Sequence, residues 1–103
     1  MDQLTRSAYG TLVAEASVGA ATGVAFIAAV PGKRIVVDSQ IVSSAGAAIW
    51  QLKTATLNGP ILRILAASMA AVYAQFRAAV GEAVTVDVTT STCTAYCEYH
   101  LED

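Results

Sequence analysis

Charge is scarce in this chain. Lys, Arg, Asp and Glu make up 14% of its 103 residues, where an ordinary soluble domain carries about 25%. Six basic residues against eight acidic ones leave a net charge of −2. No basic patch is available to neutralise phosphates, which excludes a dedicated nucleic-acid binder. With 55% apolar residues, the same composition excludes intrinsic disorder, which needs low hydrophobicity and high charge. The single His and the scattered acids leave few ways to assemble a catalytic constellation. There is no Gly-x-Ser-x-Gly elbow and no glycine-rich loop ahead of a Lys-Ser or Lys-Thr pair. Gly19 and Gly23 read as turn residues, because no βαβ pattern follows them. A long apolar run is also missing. The longest uncharged stretch, residues 16–32, is broken by Gly19, Gly23 and Pro31 and falls short of the roughly 20 apolar residues of a membrane span. Asp2 directly after Met1 leaves no basic region for a signal peptide, so synthesis in the cytoplasm is the default expectation.

Cysteine is limited to Cys93 and Cys97. Four residues apart on an extended strand they are separated by about 13 Å, beyond the Cα–Cα distance of about 7 Å that a disulfide tolerates. Cys97 reads as a small buried hydrophobe, and Cys93, beside the Thr-rich run 89–92, as an incidental free thiol. His100 shares the segment with both cysteines, but strand parity turns it to the face opposite Cys97. No second His completes a four-ligand zinc set. His100 therefore reads as part of a polar edge with Glu98 and Glu102. The expectation is a protein that is not an enzyme, with no catalytic, cofactor-binding or metal-binding residue.

What the sequence does contain is alternation. In Val84-Thr85-Val86-Asp87-Val88-Thr89 the valines share one face, and in residues 95–101 the odd positions Cys97, Tyr99 and Leu101 do the same. Val24, Phe26, Ala28 and Val30 form another one-faced set before the Pro31-Gly32-Lys33 turn. Trp50 and Leu52 share a face and read as core anchors. Asp38 and Asp87 fall on polar strand faces, and Tyr73, Gln75 and Arg77 on a face open to solvent or a partner. Thr85, Gln40, Gln51 and Tyr73 read as an uncharged outward surface. Residues 61–80 carry two patterns. Leu62, Leu65, Met69, Val72, Phe76 and Val80 recur at helical spacing, while Val72, Ala74 and Phe76 alternate as a strand. The surrounding short strands decide for strands, since propensity yields to tertiary context. About eight strands follow, near 11–17, 22–30, 34–44, 47–54, 61–66, 70–77, 83–89 and 95–102. This is an all-β, single-domain sandwich of jelly-roll type over residues 11–103, preceded by an N-terminal arm, residues 1–10.

The segments Pro31-Gly32-Lys33-Arg34-Ile35-Val36-Val37, Trp50-Gln51-Leu52-Lys53, Leu57-Asn58-Gly59-Pro60-Ile61, Phe76 to Val88 and Glu98-Tyr99-His100-Leu101 resemble a group of small structural proteins of tailed bacteriophages, the capsid decoration or cement proteins. The resemblance spans residues 24–102 and departs at 62–75, where that pattern has a Gly-rich turn and this chain has Ala66-Ala67-Ser68-Met69-Ala70-Ala71. It implies a jelly-roll virion component without catalytic residues. Such a protein binds the major capsid protein on the outer capsid surface, most often as a homotrimer, with the N-terminal arm reaching a neighbour. A fibre or tail accessory that binds the host surface is the alternative. No cofactor, nucleic acid or membrane partner is implied.

Overall fold

The computed structural model describes residues 10–103; the bulk of the expected arm, residues 1–9, lies outside the described residues. The chain forms β1 (Leu12–Val18), β2 (Ala21–Ile27), β3 (Arg34–Ser44), β4 (Ala48–Lys53), β5 (Asn58–Ile64), β6 (Ser68–Val72), β7 (Phe76–Arg77), β8 (Val84–Thr89) and β9 (Cys93–Glu102). One sheet has the order β1-β9-β3-β6, with β7 added along β3, and the other β2-β8-β4-β5. All pairings are antiparallel. This is jelly-roll wiring: β1 to β4 alternate between two stacked sheets, β4 and β5 form a hairpin in the second, and β9 enters between β1 and β3. At the sides, β1 lies against β2 and β5 against β6.

Residues 61–80 contain no helix. They supply the end of β5, all of β6 and β7, and the turns between them. β3 is eleven residues long and pairs with β6 and β7 in succession. That ladder satisfies the backbone of a segment whose local propensity favours helix. The strand expected at 70–77 divides around Tyr73–Gln75, which makes nine strands rather than eight. Ala67 takes a left-handed φ of 53° and donates its N–H to Ala45 O at 2.9 Å, which fixes the β5–β6 turn.

Alternation accounts for most of the core. Val84, Val86 and Val88 of β8, Trp50 and Leu52 of β4, and Cys93, Ala95 and Cys97 of β9 are buried together, with Tyr99 and Leu101 packed against them. Parity breaks at Asp38. Val37 pairs with Tyr99 and Ser39 with Glu98, so Asp38 is an extra residue in β3, a bulge that moves all later side chains to the other face. Gln40, expected to point outward, is consequently buried at 1% exposure. Its side-chain oxygen accepts a hydrogen bond from Trp50 Nε1 at 2.9 Å. Phe26 meets the Trp50 ring edge-on, with centroids 5.5 Å apart. A second register shift between Ala25 and Ile27 of β2 buries Ile27 and leaves Ala28 exposed, so the one-faced set expected over 24–30 stops at Phe26. Gly59 is required by packing: a Cβ there would lie 2.8 Å from the backbone oxygen of Leu52 and 3.2 Å from the Phe76 ring.

Replacing Trp50 by Phe removes the donor and leaves the Gln40 amide buried without a partner. The expected loss is about 2–4 kcal/mol in urea unfolding. Adding Gln40→Met to the same chain is expected to cost about 1 kcal/mol less than the sum of the two single changes.

Candidate functional site

The outer surfaces of the two sheets differ in chemistry. On the β2-β8-β4-β5 sheet the outward positions mix apolar Ile49 and Ile61, the latter exposed, with polar residues that bond one another. Lys53 Nζ donates to Asp87 Oδ2 at 2.8 Å, the Gly23 N–H donates to Asp87 Oδ1 at 2.8 Å, and Gln51 Nε2 donates to Gly59 O at 2.9 Å. Asp87 is thus a strand-locking carboxylate. Its hydrogen bond from Lys53, then that from Gly23, hold its pKa below the ordinary 3.8.

The outer surface of the β1-β9-β3-β6 sheet is poor in charge only at the end beside β6. Its register places Glu15, Tyr96, Ile41 and Ala71 in one row and Ser17, Thr94, Ser43 and Met69 in the next. Val13, Tyr96, Met69 and Tyr73 are exposed large side chains on this side. A groove of about 640 Å³ runs beside Met69, lined by Ser43, Ser44, Ala67, Ser68, Thr92 and Thr94, with no titratable group among its lining residues. The greatest exposures of large apolar side chains are Leu65 at 75%, Tyr73 at 72% and Met69 at 66%. All three fall within residues 65–73, in β6 and the turns that flank it.

At the other end of the same sheet the Asp38 bulge builds a polar cluster. His100 is 3% exposed and pairs across β9 and β3 with Val36, outside the main core. Its Nδ1 lies 2.7 Å from Asp38 Oδ2 and its Nε2 2.8 Å from Glu102 Oε2. Carboxylates only accept, so both contacts are hydrogen bonds when the ring carries both protons. Gln75 Nε2 donates to Asp38 at 2.8 Å and Arg77 to Glu102 at 2.5 Å. The hydrogen bond from His100, followed by that from Arg77, holds Glu102 below its ordinary 4.5 against the opposing effect of burial. The cluster therefore ties β7 and the bulge of β3 to the end of β9. Of the face expected from Tyr73, Gln75 and Arg77, only Tyr73 stays uncommitted to this cluster. His100 takes Asp38 rather than Glu98 as its second acid. Asp38 lies far from His100 in sequence, and only the bulge brings it into reach.

Cys97 is buried in the core as expected, and Cys93, expected in an open turn, is buried with it at the start of β9. Continuous strand between them keeps them apart. Burial pushes the Cys97 thiol up to about 12 and raises that of Cys93, partly offset by a hydrogen bond with Ser44. His100 faces away from both, so the three do not converge on one point.

No protein-family model matches this chain, and no curated protein matches it. Among solved structures it is similar to the nucleoplasmin-like N-terminal domain of Drosophila FKBP39, with a TM-score of 0.60 and 8% sequence identity over 90% of this chain and 91% of that one. At that identity the likeness supports the β-sandwich fold and nothing finer.

Two outcomes follow. Because Asp87 and Glu102 titrate below their ordinary 3.8 and 4.5, the unfolded chain binds protons more readily than the folded one. The stability they contribute is complete above the ordinary carboxylate range and is lost as pH falls through the depressed values. The urea midpoint is expected to fall on acidification below that range, and less steeply in Glu102→Gln. Separately, neither thiol is expected to react with a chromogenic disulfide reagent in the folded protein near neutral pH, and both are expected to react in denaturant.

Proposed function

We propose that this protein is a capsid decoration protein of a tailed bacteriophage, a homo-oligomer that binds the outer capsid surface and stabilises contacts between capsomers. The observation that supports this reading is the charge-poor end of the β1-β9-β3-β6 sheet beside β6, where Met69 and Tyr73 are exposed, with Val13 and Tyr96 exposed further along the same side. A chain with so little charge leaves this surface wet as a monomer and gains by covering it. Burying about 1,000 Å² of apolar area on a capsid would contribute about 25 kcal/mol gross. Association costs offset much of that, and repetition over a lattice restores binding strength through avidity. Jelly rolls recur in viral shells. Fold alone does not carry function, so the reading rests on the surface and on the segments quoted above.

Gel quantification of purified particles against the major capsid protein tests it. Hundreds of copies per particle are expected, together with rebinding of purified protein to particles stripped of it. A few to dozens of copies would place the protein in the tail or fibres instead, and complete absence from particles would overturn a virion role.

A further inference from the structure

β1, β2, β5 and β6 lie at sheet edges, as does the two-residue β7 with its Arg77 beside β6, and the first three carry a device that blocks pairing with another chain. β1 has Glu15 at its centre. β2 is broken by two register shifts and by Gly23 at a φ of +66°. β5 has Pro60 and Arg63. β6, Ser68-Met69-Ala70-Ala71-Val72, has none of these. It ends its sheet, pairs with β3 without a bulge, and lies within the uncharged stretch 64–76. An edge left open in a chain that guards its other edges is an edge meant to be covered.

We propose that β6 pairs antiparallel with β6 of a second copy about a two-fold axis at Ala70. The segment is complementary to itself in this register. Met69 falls opposite Ala71 of the other copy, so a large side chain meets a small one twice on the outward face. Tyr73 falls opposite Ala67 of the other copy, and Ala67 lines the groove with Ser43, Ser68, Met69 and Thr94. The exposed Tyr73 ring of each copy fills the other's groove, whose walls are methyl and hydroxyl groups. Leu65, the most exposed large apolar side chain, sits beside that contact. No charge opposes a like charge within the paired strands, because β6 contains none.

The area is adequate. At about 200 Å² for a large side chain, the exposures of Leu65, Met69 and Tyr73 sum to about 400 Å² per copy. That is half of the roughly 800 Å² per partner of a standard interface, and the ladder backbone and the alanines of the turn supply the rest. An isologous contact is closed by its own symmetry. It yields a dimer, in place of the three copies that the resemblance to decoration proteins implies.

The inference rests on the self-association half of the proposed function. Sedimentation of the full chain should give twice the 10.6 kDa protomer mass, with a dissociation constant of about 10 µM or tighter. Tyr73→Ala, at an exposed position outside the core, should weaken the dimer at least about tenfold. Ala70→Cys, placed on the axis where paired Cα atoms lie about 5 Å apart, should form a covalent dimer on mild oxidation. A monomeric wild type at about 100 µM, a dimer indifferent to Tyr73→Ala, or a dimer in which Ala70→Cys stays uncrosslinked would each overturn the contact. Capsid binding is scored separately: a dimer indifferent to Tyr73→Ala leaves the decoration reading standing, and a Tyr73-dependent dimer that ignores capsids supports the β6 contact alone.

Discussion

The hydrogen bond from Trp50 to Gln40 joins the two sheets through the middle of the core. Trp50 belongs to β4 and Gln40 to β3, and both are essentially inaccessible. An indole N–H buried without an acceptor costs on the order of 1–3 kcal/mol, so the position of the Gln40 amide constrains how the sheets stack. That position depends on one inserted residue. Without the bulge at Asp38, Gln40 would face outward with Ser39 in its place, and Trp50 would lose its acceptor. The same bulge sends the Asp38 carboxylate to His100. One irregularity thus sets the centre of the core and the polar cluster outside it.

Much of this architecture is legible in the residues. Val84, Val86 and Val88 keep strict period 2 along β8 and are buried, as alternation requires of a half-buried strand. The turn at Pro31-Gly32 falls between β2 and β3 as its residues dictate. What could not be read is parity after a bulge. Nothing in Val37-Asp38-Ser39-Gln40 marks which residue is extra, because any polar residue tolerates the unpaired position. Cys93 was hidden by the threonines before it, although the bulge-free pairing of β9 with β1 extends its alternation inward by one more residue. Residues 61–80 carried two periodicities at once. The helical stripe of Leu62, Leu65, Met69, Val72, Phe76 and Val80 is divided in the structure: Leu62 and Phe76 are buried, while Leu65, Met69 and Val80 are exposed. The stripe was apolar for two different reasons, a core on one side and an open surface on the other.

The same division explains why the surface was only half legible. Polar outward positions of the β2-β8-β4-β5 sheet find partners within the chain, as Lys53 and Asp87 do. On the other sheet Ser17 and Ser43 bond Thr94 and the His100 cluster satisfies one end, while beside β6 Met69 and Tyr73 stand exposed. Composition signals such a surface through the scarcity of charge but does not locate it. Its location follows from strand order, which puts β6 at an edge and β1 at the far side of the same sheet.

The place of β9 carries a consequence for how the chain comes into being. The last strand, ten residues long, is an interior strand that β1 and β3 both need as a neighbour. During synthesis β1 has no partner in its sheet until β9 has been made, so the sheet is completed only once residues 93–102 are available. Pairing Leu12 with Tyr99 closes a loop across nearly all of the described residues, the kind of long-range contact typical of slow, high-contact-order folders.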